Sequence, residues 1–230
     1  MILLENKELI IDSDKKARLL RVKPEDISVT LRQIIQQLSD LSWLNTLEHS
    51  VVYESFKSRA QKTCDELKIK LLNPSNQEDI LSDAGEYIVS CLSKNALVKI
   101  LGHNDIPLME LLGRKKTGNP GFDFYTEAKE ILVAGEAKYV KDSNAYNNSL
   151  KQINQFISEN KHKDDIGLLF FVASQKSLEN MNNDLFSVCA AFSSTSIKTE
   201  TLENNIKNNE EFQKALTYSN VYLVAVDMYE

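Results

Sequence analysis

The sequence predicts an α/β protein whose core is a central mixed β-sheet flanked by helices, with a mainly helical N-terminal extension. Continuous apolar runs at 166–173 and 221–228 are typical of strands buried on both faces. Between 121 and 140, an aromatic segment and an apolar run flank a short polar turn, a pattern that predicts a β-hairpin. Amphipathic segments lie between these strands, and the resulting order of helix, strand, hairpin, helix and strand is typical of an α/β core.

The chain divides into an N-terminal extension at 1–75 and a core domain at 76–230. The boundary is placed at the Asn-Pro-Ser-Asn segment, 73–76, which has the composition of a loop. Within the extension, short apolar runs at 2–11 and 17–22 predict a hairpin or two edge strands.

Helices are predicted from apolar residues that recur at helical spacing and from residues that favour helix starts. In chain order these helices cover 25–44, 50–72, 83–94, 147–160, 177–193 and 208–218. Apolar runs predict three further strands, at 108–112, 166–173 and 221–228. No internal repeat and no low-complexity tract is present in the sequence.

The central hairpin carries three charged residues among apolar ones. Asp123 lies on its first strand, and Glu136 and Lys138 lie on its second. If Thr126 pairs with Ile131, side-chain alternation puts all three charges on one surface. A slip of one residue would move Asp123 to the other surface. Charged groups are rarely placed inside a sheet without a partner, so the cluster is a candidate functional site.

Two carboxylates and one ammonium at a sheet end have a defined chemical use. Carboxylates are hard oxygen ligands, and Mg²⁺ is typically held by one or two of them together with water and substrate phosphate. Such a metal, with Mn²⁺ as the alternative, activates water and stabilises charge on a phosphate. The alternative interpretation is an ordinary cross-strand set of ion pairs on a solvated face.

The segments Gly121-Phe122-Asp123 and Glu136-Ala137-Lys138 resemble the two halves of the PD-(D/E)xK motif of the restriction-endonuclease-like nuclease superfamily. Over roughly 80–175, the order of helices and strands is also similar to that of the superfamily. The sequence departs from the motif in one respect: the motif has Pro directly before Asp, whereas Gly121 and Phe122 stand between Pro120 and Asp123. The resemblance implies metal-dependent hydrolysis of DNA phosphodiester bonds, with Asp123 and Glu136 as metal ligands and Lys138 as the catalytic lysine.

Members of this superfamily often use a third carboxylate from the helix that precedes the hairpin. Glu86 matches that place by the order of elements, so it is a further candidate metal ligand. Compensation of a helix dipole in the first turn of the helix explains Glu86 equally well. Glu110, just before the hairpin, is the rival candidate.

A basic segment next to the hairpin is a candidate nucleic-acid contact. Arg114, Lys115 and Lys116 precede a glycine-rich loop, and Lys141 follows the second strand. Side chains of this kind bind phosphates of DNA. A charged, solvated loop is an equally good interpretation of the same residues.

The size, the helical extension and the Gly-Glu-x-Lys segment are similar to the HamA family, the nuclease effectors of Hachiman-type antiphage defence. That resemblance implies a helicase partner subunit. The alternatives are a restriction or repair nuclease, and a catalytically inactive nuclease fold that serves as an interaction subunit. Association into a homo-oligomer stays open.

Composition excludes several other classes. The net charge of −6 argues against an independent, tight DNA binder. No apolar run reaches 18 residues and no leader is seen, so we expect no membrane segment and a cytoplasmic location. The cysteines and histidines are too scattered for a zinc site, a disulfide framework or a catalytic triad: Cys64, Cys91, Cys189, His49, His103 and His162.

Overall fold

The computed structural model describes residues 1–11, 16–47, 50–72, 77–113, 121–196 and 198–228. The strands are β1 (Ile2–Ile10), β2 (Lys16–Lys23), β3 (Asn104–Asp105), β4 (Phe124–Ala128), β5 (Ile131–Lys138), β6 (Ser187–Ser194) and β7 (Val221–Asp227). The helices are α1 (Ile27–Ser39), α2 (Ser50–Leu72), α3 (Gln77–Leu101), α4 (Tyr146–Ser158), α5 (Lys161–Leu169), α6 (Gln175–Asn182), α7 (Thr199–Lys207) and α8 (Glu210–Ala215), with a 3₁₀ helix at Ser42–Thr46.

The strands form one mixed sheet in the order β1-β2-β7-β6-β5-β4-β3. The four central strands, β2, β7, β6 and β5, pair in parallel. Antiparallel strands complete both edges, because β1 pairs with β2 while β4 and β3 follow β5. The prediction of an α/β protein with a mixed sheet flanked by helices is therefore confirmed.

Helices cover both faces of the sheet, so its central strands contribute side chains to two hydrophobic cores. Along β6, Val188, Ala190 and Phe192 face the core formed with α4 to α8. Cys189 and Ala191 face the opposite core, which α1 and α3 dominate. This alternation follows from the two-residue period of a strand. It also explains why every residue of β6 is buried.

The first two strands are continuous with the central sheet. β2 pairs in parallel with β7, from Ala17 opposite Val221 to Val22 opposite Val226. The proposed boundary at 73–76 lies outside the described residues. The division of the chain into two domains stays a prediction.

The β4–β5 hairpin is present, but its register differs from the predicted one. Thr126 pairs with Val133, not with Ile131, which pairs with Ala128. The turn is tighter than expected because Lys129 and Glu130 adopt positive φ angles of 51° and 62°, as in a two-residue type I′ turn. The shift is two residues, an even number, so each side chain keeps the face that the prediction assigned to it.

Three segments have a different secondary structure from the prediction. The predicted strand at 166–173 is wrong, because these residues continue α5 and the turn after it. Most of the predicted helix at 177–193 is wrong as well, since α6 ends at Asn182 and β6 follows. The predicted strand at 108–112 consists of turns.

The helices near the N-terminus also differ in extent. α1 begins after Asp26, whose side chain accepts a 2.7 Å hydrogen bond from the Val29 amide and caps the helix. The predicted helix at 25–44 is divided, since α1 ends at Ser39 before the 3₁₀ helix. α3 is longer than the predicted 83–94. In the described part of the chain, no helix combines the length and the apolar character needed to cross a membrane.

Candidate functional site

Glu136 and Lys138 lie at the carboxyl end of β5. At this strand the sheet changes from parallel pairing with β6 to antiparallel pairing with β4. The carboxyl ends of parallel strands are a common place for ligand sites in α/β proteins. The predicted cluster therefore lies where this architecture favours a site.

Asp123 precedes β4 by one residue and is buried, with 8% of its surface exposed. Its carboxylate accepts a 2.8 Å hydrogen bond from the backbone N–H of Ala137. Its own N–H donates to the carbonyl of Gly135 at 2.9 Å, which continues the pairing of the two strands. The Asp123 carboxylate consequently lies beside the Glu136–Lys138 segment of β5.

The ammonium of Lys138 links two carboxylates from different elements. Its Nζ lies 3.1 Å from Glu136 Oε1 on the same strand and 3.3 Å from Glu86 Oε1 on α3. Burial opposes the charge on Lys138, but the carboxylates of Glu136, Glu86 and Asp123 outweigh it and raise the pKa of the lysine. Lys138 is therefore charged at neutral pH, and the structure brings it together with the two predicted metal ligands on the hairpin.

Glu86 lies more than two turns inside α3, which begins at Gln77. It is too far from the helix start to compensate the helix dipole, whose effect is confined to the first turn. The adjacent Gly85 allows the ring of Tyr139 to pack against α3, because a side chain at this position would overlap that ring. This close approach places Glu86 next to the end of β5. Its side chain is 55% exposed, whereas that of Glu136 is 2% exposed.

Glu110, the rival to Glu86, lies in the turns that follow β3 and is buried. The neighbouring Met109 donates its N–H to the carbonyl of Asp123 at 3.4 Å, so this turn runs alongside Asp123. Glu110 therefore lies beside Asp123, and its charge also acts on Tyr87, the neighbour of Glu86 on α3.

Tyr87 is a member of the site that the sequence did not single out. Burial raises its pKa well above the usual value, and the charges of Glu110 and Asp123 raise it further. Its phenol thus lies within electrostatic reach of both acids. In the sequence, Tyr87 is one of several large residues on the apolar side of a helix, and no local signal distinguishes it.

Helix α4 contacts the end of β5 that carries Glu136. Ser149, buried in the first turn of this helix, donates its hydroxyl to the carbonyl oxygen of Glu136 at 2.8 Å. Just beyond β5, the N–H of Val140 donates to the Ser193 hydroxyl on β6 at 3.0 Å. These side-chain contacts hold the backbone at both ends of the Glu136–Val140 segment.

The candidate nucleic-acid contacts are only partly described. Arg114, Lys115 and Lys116 lie outside the described residues. Lys141 lies in the turn directly after β5 and is exposed. Of the four predicted phosphate contacts, Lys141 alone can therefore be placed, close in sequence to Lys138.

The donor atoms of the site suit a hard cation. Within the described ranges, no three His, Cys, Asp or Glu side chains are grouped so that they could hold a metal ion. Neither Glu86 nor Glu110 thus completes a triad with Asp123 and Glu136. Two carboxylates with water are nevertheless a common ligand set for Mg²⁺. Asp123 and Glu136 are compatible with that set in number and chemistry.

The fold and the site define an α/β protein with a seven-stranded mixed sheet and a cluster of carboxylates around one lysine at the end of β5. Comparison with models of known protein families, with curated proteins and with solved structures found no match.

Proposed function

We propose that this protein is a metal-dependent nuclease that hydrolyses DNA phosphodiester bonds. One observation carries the proposal: the Asp123 carboxylate is hydrogen-bonded to Ala137 N–H, between Glu136 and Lys138. Asp123, which directly precedes β4, thereby lies with Glu136 and Lys138 at the carboxyl end of β5. Their order along the chain is that of the PD-(D/E)xK motif, which supports assigning a restriction-endonuclease-like core.

In this proposal Asp123 and Glu136 hold Mg²⁺, or Mn²⁺ in its place. The metal supplies Lewis acidity toward the phosphate and lowers the pKa of a bound water. Lys138 is positioned by its contacts with Glu136 and Glu86, and its ammonium stabilises the charge that develops during hydrolysis. Glu86 acts through Lys138, because 3.3 Å separate the two groups. Glu110 lies in the turn whose Met109 N–H donates to the Asp123 carbonyl.

DNA contact in this proposal combines Lys141 with Arg114, Lys115 and Lys116. A net charge of −6 favours DNA affinity that is supplemented by another protein. We therefore propose a cytoplasmic effector subunit of a prokaryotic antiphage defence system, working with a helicase partner. Association of several copies is compatible with this role.

A cleavage assay tests the proposed activity. Purified protein with Mg²⁺ should nick or cut DNA, and Lys138→Ala should reduce the rate about 100-fold or more, as expected when one stabilising group is lost. Lys176→Ala is the matched control, because Lys176 is exposed on α6, where it lies 3.7 Å from Glu179. Circular dichroism establishes that both variants fold. Undiminished cutting by Lys138→Ala would remove the assignment, and absence of cutting and of metal binding would favour an interaction subunit.

The helicase partnership requires a separate experiment. We expect the tagged protein, expressed with the proteins of neighbouring genes, to co-purify with a helicase. Lys138→Ala should bind that partner equally well, since the lysine is partly buried within the site and acts in the chemistry. Active nuclease whose neighbouring genes encode no helicase would instead support a restriction or repair enzyme.

A further inference from the structure

A second cavity lies at the opposite end of the sheet from Glu136 and Lys138. It has a volume of about 550 Å³ and is bordered by the start of β5 at Ile131, the start of β6 at Ser187 and the residue before β7, Asn220. We call it the amino-end pocket, because the parallel strands begin there. Its volume is within the range of about 300–1,000 Å³ that is typical of small-molecule sites.

The charge of the amino-end pocket is opposite to that of the whole protein. Arg18 and Lys129 both line it, and among the described residues that line it none is an Asp or Glu. The chain as a whole has a net charge of −6. Two cations in one concave site therefore favour an anionic ligand over a neutral or cationic one.

Arg18 lies on the β1 side of the amino-end pocket. Its Nη1 donates a 2.9 Å hydrogen bond to Asn6 Oδ1, which also lines the pocket. The carboxylate of Glu8 lies 3.7 Å from Nη2. Both side chains are more than a third exposed, so this ion pair is weak and leaves the guanidinium available to a stronger acceptor. Guanidinium groups favour phosphate because their planar donors match its oxygens.

The amino-end pocket also has apolar and aromatic lining residues, beside the polar Asn6, Ser187 and Asn220. Ile100 and Leu101 at the end of α3 form one wall, and Ile131 lies at the start of β5. The ring of Tyr222 packs edge-on against His103, with ring centroids 5.2 Å apart. His103 is buried and its Nδ1 is 3.0 Å from the Thr126 hydroxyl. An aromatic or apolar group of a ligand would be accommodated against these side chains.

From these observations we infer that the amino-end pocket binds a small phosphate monoester bearing an aromatic or apolar group, of the size of a mononucleotide. Arg18 binds the phosphate, Lys129 on the β4–β5 turn adds positive charge to the same pocket, and the apolar wall receives the remainder. The site is distinct from the proposed nuclease site, because the two lie at opposite ends of β5 and share no residue. The inference therefore does not depend on nuclease activity.

Isothermal titration calorimetry with AMP, inorganic phosphate and adenosine tests the inference. The titrations are done in EDTA, so that no metal at Asp123 and Glu136 recruits phosphate. AMP should bind. Adenosine and inorganic phosphate should each bind at least about tenfold more weakly, since adenosine lacks the phosphate and inorganic phosphate lacks the aromatic group. No binding of AMP, or binding of adenosine as tight as that of AMP, would overturn the inference.

Substitutions test whether AMP binds in the amino-end pocket. Arg18→Gln should weaken AMP binding about tenfold, the loss expected for one charge-assisted hydrogen bond. Lys129→Gln should weaken it about threefold, because it removes a positive charge from the same pocket. Lys129 lies on an exposed turn, so Lys129→Gln provides the test even if Arg18→Gln does not fold. Arg32→Gln, which changes an exposed arginine on α1 outside the pocket, and Lys138→Ala should bind AMP like the wild-type protein. Unchanged affinity in Lys129→Gln, or lost affinity in Lys138→Ala, would refute this assignment.

Discussion

The carboxylate of Asp123 accepts a hydrogen bond from the backbone N–H of Ala137 at 2.8 Å, and this contact joins the two halves of the candidate site. Ala137 is the residue between Glu136 and Lys138, so the bond fixes Asp123 relative to both. The same carboxylate thus has a structural role as a hydrogen-bond acceptor and, in the proposed function, a chemical role as a metal ligand. The two roles can be separated by substitution.

We expect Asp123→Ala to lower the free energy of unfolding by about 1–3 kcal/mol, because it leaves the buried Ala137 N–H without its acceptor. Asp123→Asn keeps an acceptor oxygen of the same shape, so its stability should stay within about 1 kcal/mol of the wild type. Both variants should lose nuclease activity. Urea unfolding followed by circular dichroism measures the stabilities. Equal destabilisation of the two variants would show that the hydrogen bond contributes little.

Gly135 on β5 permits the close packing of Phe124, since a Cβ atom there would overlap the ring. We expect Gly135→Ala to cost about 3 kcal/mol or more, because the buried ring has no room to move. Gly167 on α5 is the matched control, because a Cβ atom added at this position would have no other atom within 4 Å. Gly167→Ala should stabilise the protein by about 0.5–1 kcal/mol through its better helix propensity. Thermal unfolding measures the stabilities of both variants. Similar changes in stability for Gly135→Ala and Gly167→Ala would contradict the packing argument.

Burial lowers the pKa of His103 below its ordinary value of 6.5. The unfolded chain therefore binds a proton at a higher pH than the folded protein does, and stability should fall as the pH decreases below about 6.5. His103→Gln removes this titration, so its stability should depend less on pH over the same window. Urea unfolding between about pH 7.5 and 5 measures the two slopes. Parallel slopes would show that His103 does not contribute.

The three cysteines are all buried, and none forms a disulfide. Burial raises the pKa of Cys91 to about 12 and also raises the pKa values of Cys64 and Cys189. Because the thiolate is the reactive form, we expect the folded protein to react with Ellman's reagent far more slowly than the unfolded chain. In guanidinium chloride all three thiols should react at once. Rapid labelling of one thiol in the native protein would indicate local opening around that cysteine.

The sequence predicts well those features that depend on strong local patterns. Short apolar runs indicate Val221–Asp227 and the two strands at the N-terminus, and the predicted bounds of α2 agree with the observed ones. By contrast, the prediction of a strand at 166–173 is wrong because a short apolar run does not by itself distinguish a strand from a buried helix. In the fold, His162, Asp165 and Leu169 are the buried residues of α5, and their spacing of three and four is helical.

The sequence by itself determined the α/β class and the residues of the hairpin, because period-two patterns and turn residues act over a few positions. Only the tertiary structure decided which groups meet around Lys138. Glu86 comes from α3, Tyr87 and Glu110 approach Asp123 from outside the hairpin, and Ser149 reaches Glu136 from α4. Such contacts depend on how helices pack across a sheet, and no local pattern of the chain encodes the distance between two distant elements.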